Sequence, residues 1–509
     1  MSAGVHGTMA ALICGLLIAP SAQALPLHAA DSPAMQDGGA SRGVAWGDFD
    51  NDGDADLLIS NAGGQVLFLY RNAGGGRFER VETPFGGYRG HSEGVAWVDF
   101  DNDGRLDVFV ARTDGPNLLF RNEAGKFRRI DAGPLTADDT VSSQGCWADF
   151  DRDGWLDVFV VNRDGQDDVL YRNLGGKRFE RIEGPFTGRG GDARTCAAGD
   201  ADGDGLPDIY VGNFVDQRHE QRRKASNFFY RNRGGGEFEA VIRGHFVNTP
   251  SLTYGASWVD FDQDGDLDLF LTNISLSDRN VLYENLGNAE FYPREDLVLS
   301  TDSLGPSKGH SWGDFDNDGD LDLVVAEGTE NIAPENKARG YDTRNRLYVN
   351  DGDGGFTVSR GAFAASEAIS AGTAWADHDL DGDLDIAVAN WGGGSENNAL
   401  YANQDGGNWI TLVLRGRQSN AQGIGAKVVV RTEGERVHYQ WLYPQTGYAS
   451  MNEAVVHFGL GRTAKVKSIR IHWPSGTVDE HGEQAANARY RAVEGKAVLE
   501  TVRPPDEAP

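Results

Sequence analysis

Short runs of apolar or alternating residues recur along the chain, each opening directly after an aspartate. DLLIS starts at Asp56, DVFVA at Asp107, DIYVG at Asp208, DLFLT at Asp268 and DIAVA at Asp385. Four to six such positions bounded by glycine and asparagine predict strands, since a helix would need a longer apolar stripe at period 3.6. Further along each run comes an aromatic residue, any residue, then Asn: Tyr70 to Asn72, Phe120 to Asn122, Tyr171 to Asn173, Tyr230 to Asn232, Tyr283 to Asn285, Tyr348 to Asn350 and Tyr401 to Asn403. A glycine-rich turn and a phenylalanine follow in most copies, at Phe78, Phe127, Phe179, Phe238, Phe291 and Phe356. Each repeat of roughly 50 residues therefore holds about four short strands, and seven of them predict an all-β, seven-bladed β-propeller.

The strongest repeated feature is the loop before each apolar run. It reads WGDFDNDGDAD in the first copy, with Asp48, Asp50, Asp52, Gly53 and Asp56. The next copies carry Asp99, Asp101, Asp103 and Asp107, then Asp149, Asp151, Asp153 and Asp157, then Asp200, Asp202, Asp204 and Asp208. Asp260, Asp262, Asp264 and Asp268 form the fifth, Asp314, Asp316, Asp318 and Asp322 the sixth, and Asp377, Asp379, Asp381 and Asp385 the seventh. First aspartates lie 51, 50, 51, 60, 54 and 63 residues apart. The fourth copy replaces the leading Trp with Ala198 and places Pro207 in the loop, and the seventh has His378 where most have Phe. This His is expected to point between ligands rather than at a metal.

Aspartates at loop positions 1, 3, 5 and 9 suit a hard dication that takes six to eight oxygens, glycine at position 6 permits the sharp turn, and the carbonyl of position 7 can ligate as it does in an EF-hand. Four carboxylates in nine residues repel one another unless a cation lies among them. Ca²⁺, up to seven ions, is the expected cofactor, because Mg²⁺ resists an all-protein cage of this kind. An EF-hand is excluded by the missing Glu at position 12 and the absent helical flanks.

Composition sharpens this. The chain has 509 residues and a formal charge of −30, which disfavours nucleic acid and anionic membrane as partners. The four fixed positions of the seven loops hold 28 of the 77 Asp and Glu residues, so the remaining 49 acids nearly balance 47 Lys and Arg. Seven Ca²⁺ would bring the formal charge to −16. A hydrophobic share of 39% supplies a core and excludes a disordered acidic chain. Three cysteines exclude a four-thiolate zinc site.

Residues 1–24 read as a signal peptide: an apolar run over residues 9–19, then small residues ending Ala22-Gln23-Ala24, without an early Lys or Arg. The run is about half of what a membrane span needs, and no later segment approaches that length. The expected location is secreted or periplasmic. Cys146 and Cys196 then remain as mature thiols at equivalent places in successive repeats, free thiols being preferred over a disulfide between them.

The seven loops resemble the FG-GAP/VCBS repeats of the integrin α-subunit type of propeller over residues 25–405, which implies calcium in the loop joining strands 1 and 2 of each blade. After Asn403 the repeat stops, and alternating runs ITLVL, AKVVVRT, VVHFGLG and KSIRIHW predict a small β-sandwich-like domain over residues 406–500, with 501–509 a disordered tail. It resembles the ASPIC/UnbV domain through Ser419, Asn420, Gly423 to Ala426, Gly447, Tyr448, Ser450, His457 to Gly461 and Trp473 to Gly476. Where such domains often have Ser-Gln after Gly-Tyr, this one has Ser450 and Met451. Together the two parts resemble the cartilage acidic protein family as it occurs in bacteria.

The resemblance and the loops point to a calcium-binding propeller that acts as a binding or adhesion module for a protein or glycan ligand. A calcium-dependent carbohydrate binder and an accessory enzyme of a biosynthetic pathway are the alternatives. No enzyme is expected: His457 and His472 read as structural, and no strand-turn-helix elbow surrounds Ser450 or Ser475. Two placements follow from blade geometry. Counting back from Asp48 puts the outer strand of blade seven at residues 25–29, and the 1–2 loops share one face, leaving the other for recognition. The insertions 213–227 and 327–346 fall on that free face, the first with Arg218, His219, Arg222, Arg223 and Lys224 as a basic patch for carboxylate, sulfate or phosphate groups.

Overall fold

Every Asp-rich loop closes one strand and opens the next, because the position-9 aspartate is itself the first residue of the second strand. In blade one the strands are Ser41–Gly47, Asp56–Asn61, Phe68–Asn72 and Phe78–Arg80, paired antiparallel in that order. This computed structural model describes residues 27–502 apart from 31, 33–34, 83, 217–222, 303–304, 329–342, 353, 360, 395 and 405. The signal-peptide reading, Leu25, the patch residues Arg218, His219 and Arg222, and residues 503–509 lie outside the described residues.

Among the described residues, seven sheets each contain four consecutive strand positions of this kind. Their first strands, Ser41–Gly47, Ser92–Val98, Ser142–Ala148, Ala193–Gly199, Thr253–Val259, Ser307–Gly313 and Ser370–Ala376, neighbour one another in order, and the last meets the first. The sheets thus stand radially around an axis, as blades of a propeller. Second strands are buried on both faces, which explains their continuous apolar runs: Asp56–Asn61 and Asp157–Asn162 are buried throughout.

Ring closure follows the expected route with a narrower strand. His28–Ala29 pairs antiparallel with Ala402 and Tyr401 and completes the sheet of blade seven, and Leu27 is buried beside it. Links between blades are made by two repeated side chains. Indole nitrogens reach back one blade, Trp97 to Ala45, Trp258 to Ala197, Trp375 to Trp312 and, across the closure, Trp46 to Ala374. Short turns between blades bury Leu135, Phe246 and Leu299, features no strand pattern announced.

Cys146 and Cys196 form a disulfide between blades three and four with a Cα–Cα distance of 6.0 Å, which corrects the free-thiol preference. Equivalent positions on adjacent first strands come close enough in a propeller, something their 50-residue separation does not reveal.

The C-terminal domain is a sandwich. One sheet orders Val456–Gly461, Asn408–Arg415, Ala488–Val493 and Glu500–Val502; the other is built on Lys427–Thr432 and Lys465–His472. Between them lie Ile410, Leu412, Val428, Val430, Phe458, Ile469, Ile471 and Trp473. Thr501 and Val502 pair with Tyr490 and Arg489, so the domain runs past residue 500 and the expected tail is corrected at those two positions.

Candidate metal centres and the axial plug

Within each loop the position-1 aspartate first shapes its own turn. Asp48 accepts from the backbone N–H groups of Asp52 and Gly53 at 3.0 Å each, and Asp99, Asp260 and Asp314 repeat the pattern. Two left-handed stations separated by one residue make the turn: glycine at position 6, with φ 102° at Gly53, and position 4, filled by Asn51, Asn102, Arg152, Gly203, Gln263, Asn317 and Leu380. Sequence reasoning found the first and missed the second, although Asn at three of the seven copies was a usable signal.

The position-9 aspartate is anchored from both sides. Asp56 accepts from the backbone of Phe49 at 3.0 Å and of Asn72 at 2.8 Å. That places the third-strand Asn at the loop, where its side chain amide spans two blades. Asn122 donates to the carbonyls of Phe49 and Leu106, Asn173 to Phe100 and Leu156, Asn232 to Phe150 and Pro207, and Asn285 to Ala201 and Leu267. Asn350 and Asn403 reach Phe261 and Phe315, and Asn72 reaches His378 across the ring closure. The sequence marked these asparagines only as a repeat; they tie each loop to its neighbour.

Carboxylate oxygens of Asp48, Asp50 and Asp56 lie within 4.8 Å of one another, as do those of Asp99, Asp101 and Asp107, of Asp149, Asp151 and Asp157, and of Asp200, Asp202 and Asp204. Burial, reinforced by the neighbouring loop carboxylates, pushes Asp48, Asp99 and Asp200 up to about 6, Asp149 to about 7 and Asp260 to about 8. The same cause lifts Asp56 to about 9 and Asp107 and Asp208 to about 8, and Asp157, Asp268, Asp314, Asp322 and Asp377 rise well above the carboxylate range. Buried oxygens of Asp101, Asp107, Asp200, Asp262, Asp377 and Asp379 have no hydrogen-bond partner. Clustered, desolvated and partly unsatisfied carboxylates fit a divalent cation, which removes the repulsion and takes up the free lone pairs. Arginines of the third strands already pair with position 3: Arg121 with Asp101 at 2.8 Å and Arg231 with Asp202 at 3.2 Å.

His378 departs from its expected place. Its ring stacks on Phe78 at 5.7 Å, as the position-2 phenylalanines face their neighbours' fourth strands, but Nδ1 hydrogen-bonds the position-9 carboxylate of Asp385. It therefore engages a loop carboxylate directly. Pro207 leaves the fourth site intact, with Asp208 fully buried and bonded to Asn232 at 2.7 Å.

Comparison with known proteins agrees with this geometry. The description "FG-GAP-like repeat" matches residues 48–110, 99–160, 149–211 and 260–325, and "ASPIC and UnbV" matches 416–499. The chain is an FG-GAP-repeat protein with an ASPIC and UnbV domain. It is 25% identical over 510 residues to cartilage acidic protein 1 of Mus musculus, covering 91% of this chain and 74% of the relative. For the Homo sapiens protein the identity is 24% over 507 residues, covering 91% and 72%. A solved structure, "YCF48 bound to D1 peptide", aligns at a TM-score of 0.46 and 10% identity over 76% of this chain and 98% of that one.

The ASPIC and UnbV domain sits directly on the loop face of the FG-GAP repeats. Gly459 donates to Asp314 at 2.9 Å, Lys427 Nζ to the Gly265 carbonyl at 2.8 Å, Ala421 to Asn102 at 2.9 Å, and the Gln422 side chain accepts from Asp99 N–H at 2.8 Å. His457 bridges Thr411 and Asn317, at 2.8 and 2.9 Å, and is a structural group of this interface. Ser475 donates to Glu494 and accepts from Thr477 N–H at 3.1 Å, and Ser450 Oγ accepts from Val44 N–H at 3.3 Å.

From this domain, residues 445–451 descend into the propeller axis. Met451 pairs in parallel with Ala45 of the first inner strand, Ala449 O accepts from Val95, and Thr195 and Thr446 hydroxyls bond Gly447 O and His310 O at 2.7 Å each. A Cβ on Gly43 would meet Ala449 O at 1.9 Å, so only glycine allows this approach. At the tip Tyr448, 1% exposed, packs on Tyr254 at 4.9 Å and donates to Glu93. Arg163 at 3.1 Å and Arg42 at 3.9 Å face the same carboxylate. Burial opposes that charge, yet the two guanidinium groups and the phenol outweigh it and hold Glu93 down at about 2. The Gly-Tyr turn, with Ser450 and Met451 after it, is thus the axial plug of the ring.

Proposed function

We propose that this chain is an exported, calcium-loaded propeller that acts as a binding module without a catalytic step of its own, its ligand being a protein or glycan. The observation that carries the reading is the repeated clustering of loop aspartates, with buried, unsatisfied carboxylate oxygens in the second, fourth, fifth and seventh loops. In each loop the aspartates at positions 1, 3, 5 and 9 would hold the ion, which supplies charge compensation and rigidity there. The kinship with cartilage acidic protein 1 supports a binding role. Export is supported by the signal-like start of the sequence and by the Cys146–Cys196 disulfide, a bond that persists in oxidising compartments. Among the described residues no helix is long and apolar enough to cross a membrane.

Glycan recognition by a repeated aromatic is less well supported, because the repeated Trp46, Trp97 and Trp147 and Tyr70, Tyr171 and Tyr230 are buried. Elemental analysis and melting in calcium and in EDTA test the reading. Several calcium ions per chain are expected, with Kd values on the order of 10⁻⁶ to 10⁻³ M, and a melting point that rises with free Ca²⁺. At 100 times Kd each site adds about 2.7 kcal/mol. A chain that carries no calcium and melts identically in excess EDTA refutes the assignment.

A further inference from the structure

The face opposite the loops carries an unusual cluster around the tip of the plug. Arg42 and Arg194 are the second residues of two inner strands, and Arg163 directly follows the strand Asp157–Asn162, so all three sit at the axial mouth on the side away from the Asp loops. Contacts converge on Tyr448. Its hydroxyl meets Glu93, which faces Arg42 and Arg163, and its ring meets Tyr254, over which Arg194 lies at 5.7 Å. Arg42 also lies over Trp391 at 4.4 Å, and Arg194 over Phe214 at 4.9 Å.

These guanidinium groups are incompletely used. Arg42 Nε, Arg163 Nη2 and Arg194 Nε are buried without a hydrogen-bond acceptor, a costly condition for a charged donor. Their side chains are 17%, 12% and 12% exposed, so they lie largely buried at the mouth rather than projecting into solvent. Glu93 shows what the mouth accepts, a carboxylate hydrogen-bonded by one guanidinium group and a phenol with a second guanidinium group beside it. Half-buried Trp391, Tyr254 and Phe214 supply apolar walls beside the charges. Three guanidinium groups face the two carboxylates of Glu93 and Asp192, so one positive charge is left over, which suits a monoanion better than a dianion, and the aromatic walls suit one carried on an apolar or aromatic body.

We propose that this axial mouth is a binding site for a carboxylate carried on an aromatic or apolar body, supplied either by a small free acid or by an acidic segment of a polypeptide. The proposal rests on the binding-module reading and names its ligand chemistry. The test uses the full calcium-saturated chain, with phenylacetate, a blocked tetrapeptide alternating phenylalanine and glutamate, and phenylacetamide as the uncharged control, followed by calorimetry and saturation-transfer NMR. Saturable binding of one or both acids but not the amide is expected, phenylacetate binding assigning a free acid and peptide-only binding a polypeptide source. Arg194→Gln should weaken it at least 10-fold, and so should Trp391→Leu, at a half-buried position, if the arginine variant fails to fold. Absence of saturable binding by either acid, or unchanged binding in a folded variant, overturns the proposal. Melting of the same samples with and without calcium separates the two levels: calcium stabilisation without acid binding rejects this site alone, and acid binding without calcium stabilisation rejects the metal reading alone.

Discussion

Replacing Tyr448 with Ala tests whether the plug joins the two domains into one cooperative body. The ring is 1% exposed and packs on Tyr254, and its hydroxyl serves a buried carboxylate. Truncating a buried aromatic costs about 3–5 kcal/mol, and losing a hydrogen bond to a charged group a further ~1.5–3. Tyr448→Phe isolates the second part, because the ring stays and Glu93 keeps Arg163 and Arg42. Hydrogen exchange of residues 445–451 is the direct assay, since opening there is a sub-global event with its own free energy. With about 1.4 kcal/mol for each factor of ten, Tyr448→Ala should speed exchange by roughly 10³-fold or more and Tyr448→Phe by about 10-fold to 100-fold. The amides of the inner strand Ser41–Gly47, which Met451 joins in parallel, should follow. Exchange unchanged in the alanine variant would refute the role of the plug, and a phenylalanine variant as damaged as the alanine one would refute the division between ring and hydroxyl.

Asn173→Ala removes donors from the carbonyls of Phe100 and Leu156 in two blades and should destabilise the ring by about 2–5 kcal/mol; urea unfolding that shifts by less than 0.5 kcal/mol, roughly, contradicts the blade-linking role. Deleting residues 27–30 removes the His28–Ala29 strand and should lower the melting point of the whole ring, so wild-type melting of that variant would mean that closure does not depend on this strand. His310, fully buried between Ser257 and Thr272, is pushed down by burial to about 3, so it stays neutral while its unfolded counterpart titrates near 6.5. Its contribution is complete above pH 6.5 and is lost as pH falls toward 3, at up to about 1.4 kcal/mol per pH unit. Chemical unfolding of parent and His310→Gln at several pH values should show a shallower slope below 6.5 in the variant, and equal slopes would exclude His310 as the source. Glu93, held at about 2, contributes stability above pH 4.5 that fades only below it.

The sequence by itself determined everything whose cause is local and repeated. Strand positions, the turn at Gly53 and its counterparts, and the convergence of Asp48, Asp50 and Asp56 follow from residue spacing within about ten positions, and seven copies made the pattern unmistakable. The outer strand of blade seven was also legible, because a nearly constant spacing carried the count back from Asp48 to residues 25–29, of which His28 and Ala29 form the strand. Tertiary structure alone decided what depends on which residues become neighbours when the ring closes. Cys146 meets Cys196 only because adjacent inner strands align, and Asn122 finds the Phe49 carbonyl 73 residues away only across a blade boundary. The plug is the clearest case: Tyr448 and Glu93 are separated by 355 residues, and no local propensity records that a turn of the second domain fills the axis of the first. Packing of preformed surfaces chooses that contact, and it is the shape of the closed ring, absent from any single repeat, that makes room for it.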